Sequence, residues 1–304
     1  MVGSLLSPFF TRLNLGIDMT GGIQVEYSVS GWSVDAIIEN TRTSVLEAAR
    51  ATLTDDAKKV ITDAFVYRVS GTDKFVVEAG INEEGIPLDV VESAKTAFVT
   101  ALDTEYTKIT DAEVTQSKYV NIGASFGSYI KKSGFLTLGI TIIAISVYIM
   151  YAFSGSIAGM SSWPFALVTG ASLAHDVIVA FGLYVLTSFF FPEFKIDTFF
   201  LTAMLTILGY SINDTIVVMD RIRSNLESNS KTSFSAIIDK SIHDTMRRSI
   251  FTSMTVIIVL VAMFFFGPDS LRGFTLALIY GGLVGTYSSV CLASPLLVDI
   301  TGKK

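Results

Sequence analysis

Five stretches of about twenty apolar residues, all beyond residue 130, constrain the fold of this chain more than any other feature. They lie at residues 134–153, 164–191, 198–220, 249–267 and 273–298. A transmembrane helix needs roughly 20 such residues to cross the hydrocarbon core of a bilayer, so each stretch can span it. Charged residues make up only 16% of the chain, whereas about 25% is usual in a soluble protein. The sequence therefore predicts an α-helical polytopic membrane domain over residues 123–304.

The charged residues are divided unevenly along the chain, and their distribution predicts its orientation. Residues 1–130 carry a net charge of −8 and residues 131–304 one of +2, which together give the −6 of the whole chain. Lysines and arginines are concentrated in residues 221–248 and at the carboxyl terminus, so the positive-inside rule places both in the cytoplasm. Five spans then leave the acidic amino-terminal part outside the cytoplasm.

The first ten residues, MVGSLLSPFF, contain no basic group and are too few and too mildly apolar to form a span. An acidic domain needs a preceding helix to lead it across the membrane. We therefore expect a further transmembrane helix upstream, either missing through a truncated start or contributed by an upstream polypeptide. Residues 1–21 would form a junction after that missing first span.

Residues 22–122 predict a small α+β domain of the ferredoxin-like kind. A strand at 22–29 is followed by a helix over 32–53, strands at 61–69 and 75–79, a helix beginning at Pro87 and a strand near 109–116. This βαββαβ order is that of the ferredoxin-like fold. The segment has no histidine or cysteine and its carboxylates are scattered, so we predict neither an enzyme nor a metal or other cofactor. The acidic charge argues against nucleic acid as a partner.

Ionisable residues inside the apolar stretches are the strongest functional signal, because a buried carboxylate costs roughly 2.5–3.5 kcal/mol on insertion scales. His175 and Asp176 lie in the second stretch and Asp214 in the third. These stretches run antiparallel, so the three side chains can occupy neighbouring layers in the cytoplasmic half of the membrane. Arg248 immediately precedes the fourth stretch, and its long stem can reach towards Asp214. We predict a proton-handling site here, with a hydrogen-bonded packing role as the alternative for His175.

Other polar groups accompany this site. Tyr210 and Asn213 form a polar patch within one helical turn of Asp214. Asp220 and Arg221 lie at the predicted inner interface, where positive-inside anchoring is the alternative to a supporting role. Residues 234–246 repeat apolar side chains at helical spacing, which predicts a short helix along that interface.

Four segments together resemble the SecF subunits of the bacterial SecD/SecF protein-export complex. They are LNLGIDMTGG (13–22), AHDVIVAFGLY (174–184), LGYSINDTIVVMDRIRSN (208–225) and MRRSIFTSMT (246–255). The resemblance runs over residues 13–294 in the family's order, although the family has six spans, the first of which precedes LGIDMTGG. It implies a multi-pass protein of the bacterial inner membrane, similar in architecture to RND-type exporters, with residues 22–122 outside the cytoplasm.

By this resemblance the chain is a non-enzymatic translocase subunit that uses the proton-motive force to assist preprotein export. The implied partners are SecD, a SecY-type channel complex, YajC and unfolded preproteins. Asp214 matches the family's intramembrane carboxylate, Arg248 its facing arginine, and His175 with Asp176 its His-Asp pair. Gly16, Gly21 and Gly22 fall in the junction motif, where glycine suits a tight change of chain direction.

Three other functions compete with protein export. An RND-type exporter of small molecules or lipids would need much larger duplicated domains than the roughly 100 residues available outside the membrane. A structural scaffold without proton movement has no evident need for a costly carboxylate at Asp214. An intramembrane aspartyl protease would use Asp176 and Asp214, but neither lies in a YD or GxGD setting.

Overall fold

The structure is a computed structural model that describes residues 13–69, 72–83, 85–109, 113–153, 162–191, 193–228 and 232–302. The chain divides into two compact units. One comprises residues 1–133 and 188–198 and is called the sheet unit here; the other comprises residues 134–187 and 199–304 and is called the helical unit. The segment 188–198, between two apolar stretches, therefore belongs with the sheet.

The described part of the sheet unit has the predicted βαββαβ order with one additional helix. Its elements are β1 (Gly22–Ser30), α1 (Val34–Asn40, Thr41–Val45 and Leu46–Ala51 in one continuous run), α2 (Asp55–Val60), β2 (Ile61–Val69), β3 (Lys74–Ile81), α3 (Leu88–Thr107) and β4 (Glu113–Ile122). The strands form one sheet in the order β2–β3–β1–β4, and all neighbours are antiparallel. Because β3 lies between β1 and β2, this is the split βαβ arrangement of the ferredoxin-like fold.

Alternating residues of β1 and β3 point into a core shared with α1 and α3. Tyr27, Phe75 and Tyr106 pack at its centre with ring centroids 4.8–5.5 Å apart. Burial raises the pKa of Tyr27 far above its ordinary value, and the Asp103 carboxylate raises it further. The hydroxyl therefore stays protonated and donates a 2.8 Å hydrogen bond to Asp103 Oδ1, which satisfies a polar group inside the core.

One helix of this unit was not predicted, and one predicted strand begins at the wrong residue. Residues 55–60 form α2, which was not predicted; its first turn is capped by Thr54 Oγ1, which accepts a 3.3 Å hydrogen bond from the Ala57 N–H. The last strand begins at Glu113 rather than near residue 109, because Ile109 still closes α3 through its N–H to the Tyr106 carbonyl. Strand β4 lies at the sheet edge and is largely exposed, so it lacks the apolar alternation that locates β1.

Five helices of the described chain are long and apolar enough to cross a membrane. They are α4 (Ala124–Ala152), α5 (Trp163–Phe190), α6 (Thr198–Ser228), α7 (Phe234–Phe266) and a last span made of α8 (Arg272–Ser288), a π-helical turn (Ser289–Ala293) and α9 (Ser294–Thr301). Together with the small antiparallel sheet they confirm the predicted fold class, a helical polytopic protein with an α+β domain.

The predicted short helix along the inner interface is wrong. Residues 234–246 are the first half of α7, which continues without a break to Phe266. No glycine or proline interrupts the chain there, so the helix extends for roughly 50 Å at 1.5 Å per residue. The apolar side chains of Phe234, Ile237 and Ile238 pack against α6 residues, among them Ile222 and Leu226. They belong to the helical core.

Candidate functional site in the membrane-length helices

Asp176 of α5 is completely buried, and hydroxyl groups of two other helices contact its carboxylate. Its Oδ2 accepts hydrogen bonds from Ser211 Oγ of α6 and, at 2.8 Å, from Ser288 Oγ of α8. His175 Nδ1 lies 3.0 Å from its Oδ1, and Ser172 Oγ donates to Ser288 Oγ at 3.3 Å. The carboxylate thus joins α5, α6 and α8 through its hydrogen bonds, as a buried polar group requires.

Asp214 of α6, with 4% of its surface exposed, forms a second polar cluster. Its Oδ2 accepts a 3.0 Å hydrogen bond from Ser253 Oγ of α7, which in turn accepts one of 2.6 Å from Thr286 Oγ1 of α8. Tyr210 Oη and Ser249 Oγ are buried in the same cluster, Ser249 beside the Asp214 carboxylate and Tyr210 beside Ser253. This carboxylate joins α6, α7 and α8.

The two clusters share α6 and α8 because these helices approach each other very closely. A Cβ on Gly281 would lie 2.1 Å from Ile207 Cγ1, and one on Gly285 would lie 3.0 Å from Ser211 Cβ. Glycine at these positions lets the backbones meet, as small residues do in membrane helix pairs. The close approach brings Ser288 within reach of Asp176.

Arg248 does not form an ion pair with Asp214 among the described residues. Its side chain is exposed on α7, and the hydrogen bond to Asp214 comes instead from Ser253, farther along the same helix. The carbonyl of Arg248 accepts a 2.9 Å hydrogen bond from Thr252 Oγ1. The structure therefore brings together Asp214 and hydroxyl groups, with the arginine at the exposed surface.

The remaining predicted polar residues lie outside the two clusters. Asn213 and Asp220 are exposed on α6. Arg221 donates two hydrogen bonds to Asp244 Oδ2, from Nε at 2.9 Å and from its terminal Nη2 at 2.6 Å. These bonds connect α6 to α7 near the end of the span, which is consistent with an anchoring role at an interface.

The junction glycines lie in the sheet unit. Gly16 precedes a single helical turn (Ile17–Thr20), and Gly21 follows it with φ of 77°. Gly22 has φ of 154°, and a Cβ there would lie 2.6 Å from the Ala79 carbonyl oxygen. Only glycine fits these two consecutive positions, where the chain turns into β1.

Sequence reasoning missed the hydroxyl groups that hold the two carboxylates. They are Ser172, Ser211, Ser253, Thr286 and Ser288. Spacing along the sequence does not indicate these contacts, because each of these carboxylates and the hydroxyl groups that bond to it lie on different helices. No set of three or more His, Cys, Asp and Glu residues able to hold a metal ion occurs among the described residues.

Comparison with known proteins identifies the family. The sequence model of the family "Protein export membrane protein SecD/SecF, C-terminal" matches residues 102–303. The chain is 33% identical to the protein translocase subunit SecF of Rhodothermus marinus, over 99% of this chain and 87% of the relative. It is 34% identical to the SecF of Sebaldella termitidis, over 97% and 84% respectively.

The chain belongs to the SecF family. Its fold is that of the crystal structure of SecDF, a translocon-associated membrane protein from Thermus thermophilus, with a TM-score of 0.71 at 24% identity. The alignment covers 99% of this chain but only 36% of the SecDF chain, so the chain corresponds to about a third of that protein. Membership of the SecF family gives this multi-pass membrane protein a role in protein export.

Proposed function

We propose that the chain is a translocase subunit that uses the proton-motive force to assist preprotein export through the Sec channel. It acts in the bacterial inner membrane, with residues 22–122 outside the cytoplasm and residues 221–248 inside. SecD is its direct partner, and the SecY-type channel, YajC and unfolded preproteins are the further components. The SecF relatives and the SecDF fold support this assignment.

The observation that carries the proposal is the burial of Asp214 in a membrane-length helix among hydroxyl groups. A carboxylate in the hydrocarbon region is expensive, and such residues mark ion pathways and proton relays. The charge of Arg248 acts on Asp214 from a distance, but no cation forms an ion pair with this carboxylate in the described chain, so proton binding is a direct way to remove its charge. Ser253 and Thr286 extend from it as hydroxyl groups that can both donate and accept.

Protonation of Asp214 would weaken the hydrogen bond that it accepts from Ser253 of α7. The ionised carboxylate accepts the Ser253 hydrogen bond strongly, because bonds to a charged group are about twice as strong as neutral ones. The protonated acid holds α7 less firmly, so α6 and α7 can shift relative to each other. Asp176, with His175 beside it, is the second candidate carboxylate, and it links the same α6 and α8 to α5.

The test is proton-gradient-dependent export of a preprotein into inverted membrane vesicles that contain the whole translocase. Asp214→Asn keeps the shape of the side chain and removes the titration. We expect it to abolish the stimulation of export by the gradient and to leave the export measured without a gradient intact. Arg248→Lys should retain stimulation if the exposed side chain supplies only charge.

Asp239→Asn is the matched control, because Asp239 is an exposed carboxylate on α7 outside both clusters. It should behave as the unmodified chain does. Normal gradient stimulation in Asp214→Asn would contradict a proton role for this residue and would favour the scaffold function.

A further inference from the structure

The imidazole of His175 reaches the surface of α5 near the middle of this membrane-length helix. The helix begins at Trp163, so His175 lies roughly 18 Å along it at 1.5 Å per residue. Its side chain is 32% exposed, whereas that of the next residue, Asp176, is completely buried. Ionisable groups inside a membrane face water-filled or polar spaces, because hydrocarbon does not solvate them. The exposed part of the ring therefore favours a hydrated surface beside α5.

The two ring nitrogens of His175 have different surroundings. Nδ1 lies 3.0 Å from Asp176 Oδ1, and among the described residues the ring forms a hydrogen bond only through this nitrogen. Nε2, at the opposite side of the ring, is not buried. Imidazole is suited to moving protons, because either nitrogen can bind or release one and its charge changes in the physiological pH range. One nitrogen thus contacts a buried carboxylate, and the other is available to water.

The Asp176 carboxylate has one oxygen that accepts from hydroxyl groups and one that faces the ring. Oδ2 accepts hydrogen bonds from Ser211 Oγ of α6 and, at 2.8 Å, from Ser288 Oγ of α8. Ser172 Oγ donates to Ser288 Oγ at 3.3 Å, which leaves the Ser288 hydrogen for the carboxylate. Oδ1 contacts His175 Nδ1. A proton that leaves the ring can therefore bind Oδ1 without displacing either hydroxyl group.

The neighbouring helices present uncharged groups to this pair. The groups of α6 and α8 that contact the carboxylate are the two serine hydroxyls, and α4 approaches α5 with the Ser146 hydroxyl. Tyr280 of α8 bonds farther along α5, and the other buried carboxylate, Asp214, bonds to α7. Among the described residues, His175 alone lies within ion-pair distance of Asp176 as a possible cation. The two side chains themselves therefore set the charge of the pair.

We propose that His175 carries protons between water at the surface of α5 and Asp176, which makes Asp176 a second proton-binding position besides Asp214. This inference rests on the proposed function, because it adds a carrier and an acceptor to the same proton movement. A hydronium ion gives its proton to Nε2 and leaves as water; the N–H bond at Nδ1 then breaks, and an O–H bond forms at Asp176 Oδ1. The ring is neutral again with its proton on Nε2, and the carboxylate has become a neutral acid. The same steps in reverse release the proton.

Proton binding at Asp176 changes how firmly α5 is held by its neighbours. Hydrogen bonds to a charged acceptor are about twice as strong as neutral ones, so the neutral acid holds Ser211 and Ser288 less firmly. The helix α5 then moves more easily against α6 and α8. These two helices also carry Asp214 and Thr286 of the other cluster, so both clusters respond to protons through the same pair of helices.

The first experiment measures the dissipation of a pH gradient, over a range of pH, in membrane vesicles that contain the whole translocase. We expect His175→Ala and Asp176→Asn each to slow proton flow about 100-fold or more, the contribution of a positioned acid–base group. Added imidazole should restore flow to His175→Ala, because it can occupy the vacated space, but not when Asp176→Asn is also present. His243→Ala is the matched control, since His243 is exposed on α7 outside both clusters, and it should keep normal flow.

The possible outcomes separate this inference from the proposed function. Normal flow in His175→Ala would overturn the carrier role, and so would a loss that imidazole does not restore, because the side chain would then act through packing alone. His175→Gln keeps a hydrogen-bonding side chain without a titratable ring, so normal flow in this variant would also contradict the carrier. If Asp214→Asn keeps normal flow, the proposed function fails instead.

The second experiment tests whether water reaches this surface in the membrane-embedded translocase. His175→Cys and Ile143→Cys are each combined with Cys291→Ser, which removes the single native cysteine. Ile143 of α4 is apolar and 65% exposed, so it serves as the control for a surface in contact with lipid. A water-soluble thiol reagent should modify residue 175 at least about tenfold faster than residue 143, because hydrocarbon disfavours the reactive thiolate. Equally slow modification would show that residue 175 faces hydrocarbon and would overturn the proposal.

Discussion

At the scale of single residues, two buried lysines of the sheet unit differ in the solvent exposure of the carboxylates that pair with them. Lys95 is 2% exposed, but its partners Glu92 and Glu83 are 51% and 24% exposed, at 2.8 and 3.5 Å. Lys195 faces Glu78, which is almost as buried as the lysine itself. Water can solvate the carboxylates that Lys95 leaves behind, whereas in the described chain the side chain of Glu78 accepts hydrogen bonds from Lys195 and the Tyr67 hydroxyl alone.

The two lysines should therefore respond differently to the same substitution. We expect Lys195→Met to lower the free energy of unfolding of the sheet unit by about 3–5 kcal/mol, the cost of leaving one buried charge unpaired. Lys95→Met should cost less than about 1 kcal/mol, as for a partly exposed ion pair. Denaturant titration of the full chain in detergent, followed by Trp32 fluorescence in a Trp163→Phe background, measures both.

A double variant serves as the control for this comparison. Lys195→Met together with Glu78→Gln removes both charges, so most of the lost stability should return. Equal losses in the two lysine variants would contradict the argument from partner exposure.

At the scale of elements, the contact between α6 and α8 decides where both polar clusters can form. Ile207 and Ser211 of α6 face Gly281 and Gly285 of α8, where an added Cβ would clash with Ile207 at 2.1 Å and would lie tightly against Ser211 at 3.0 Å. Gly282, the neighbour of Gly281, is less confined, since a Cβ there would lie 3.7 Å from the nearest atom, in ordinary contact with Ile257. Adjacent glycines on one helix thus have different steric requirements.

Alanine at these two glycines gives a matched test. Gly281→Ala should destabilise the helical unit by about 1–3 kcal/mol, because the whole Ile207 side chain must move. Gly282→Ala should be neutral or stabilising by up to about 1 kcal/mol, the helix propensity gained over glycine. Thermal unfolding of the purified chain in detergent compares them.

Removal of the obstructing side chain should change the effect of the new methyl group. Gly281→Ala combined with Ile207→Ala should lose less stability than the two single variants added together, because the methyl group then fills part of the space vacated by the buried Ile207 side chain. If Gly281→Ala and Gly282→Ala behave alike, the close approach of α6 and α8 is not what holds this contact.

At the scale of the whole molecule, the orientation in the membrane follows from charge rather than from contacts. The positive residues of 221–248 are predicted to face the cytoplasm, which leaves the sheet unit outside. Ser70 and Ser230 would be natural positions for testing this, but both lie outside the described residues. Thr96 on α3 and Ser228 at the end of α6 are exposed and serve the same purpose.

Thr96→Cys and Ser228→Cys, each in a Cys291→Ser background, should react with a membrane-impermeant thiol reagent from opposite sides. We expect the cysteine at residue 96 to react in intact spheroplasts and the one at residue 228 only in inverted vesicles. Labelling of both from the same side would contradict the predicted orientation.

The sequence by itself determined most of the element types, the fold class and the two buried carboxylates. Apolar runs and alternation are local, and burial follows from them because a helix or strand must cover its apolar face. For this reason the strand 61–69 and the membrane-length helices were found, and Asp176 and Asp214 were recognised as costly where they stand. The exposed edge strand β4 carried no such pattern and was misplaced.

Only the tertiary structure decided which groups meet. Ser288 reaches Asp176 because the contact at Gly281 and Gly285 sets the rotation and offset of α8 against α6. The packing of α7 against α6 brings Ser253 to Asp214, whereas the Arg248 side chain lies at the exposed surface of α7. The apolar periodicity of a helix fixes the face that it buries, but it does not fix how far the helix is shifted along its neighbour. A shift of about 3 Å, one hydrogen-bond length, is enough to change which side chains bond. The pairing of Lys195 with Glu78, across 117 residues, depends on that same long-range packing and has no local trace in the sequence.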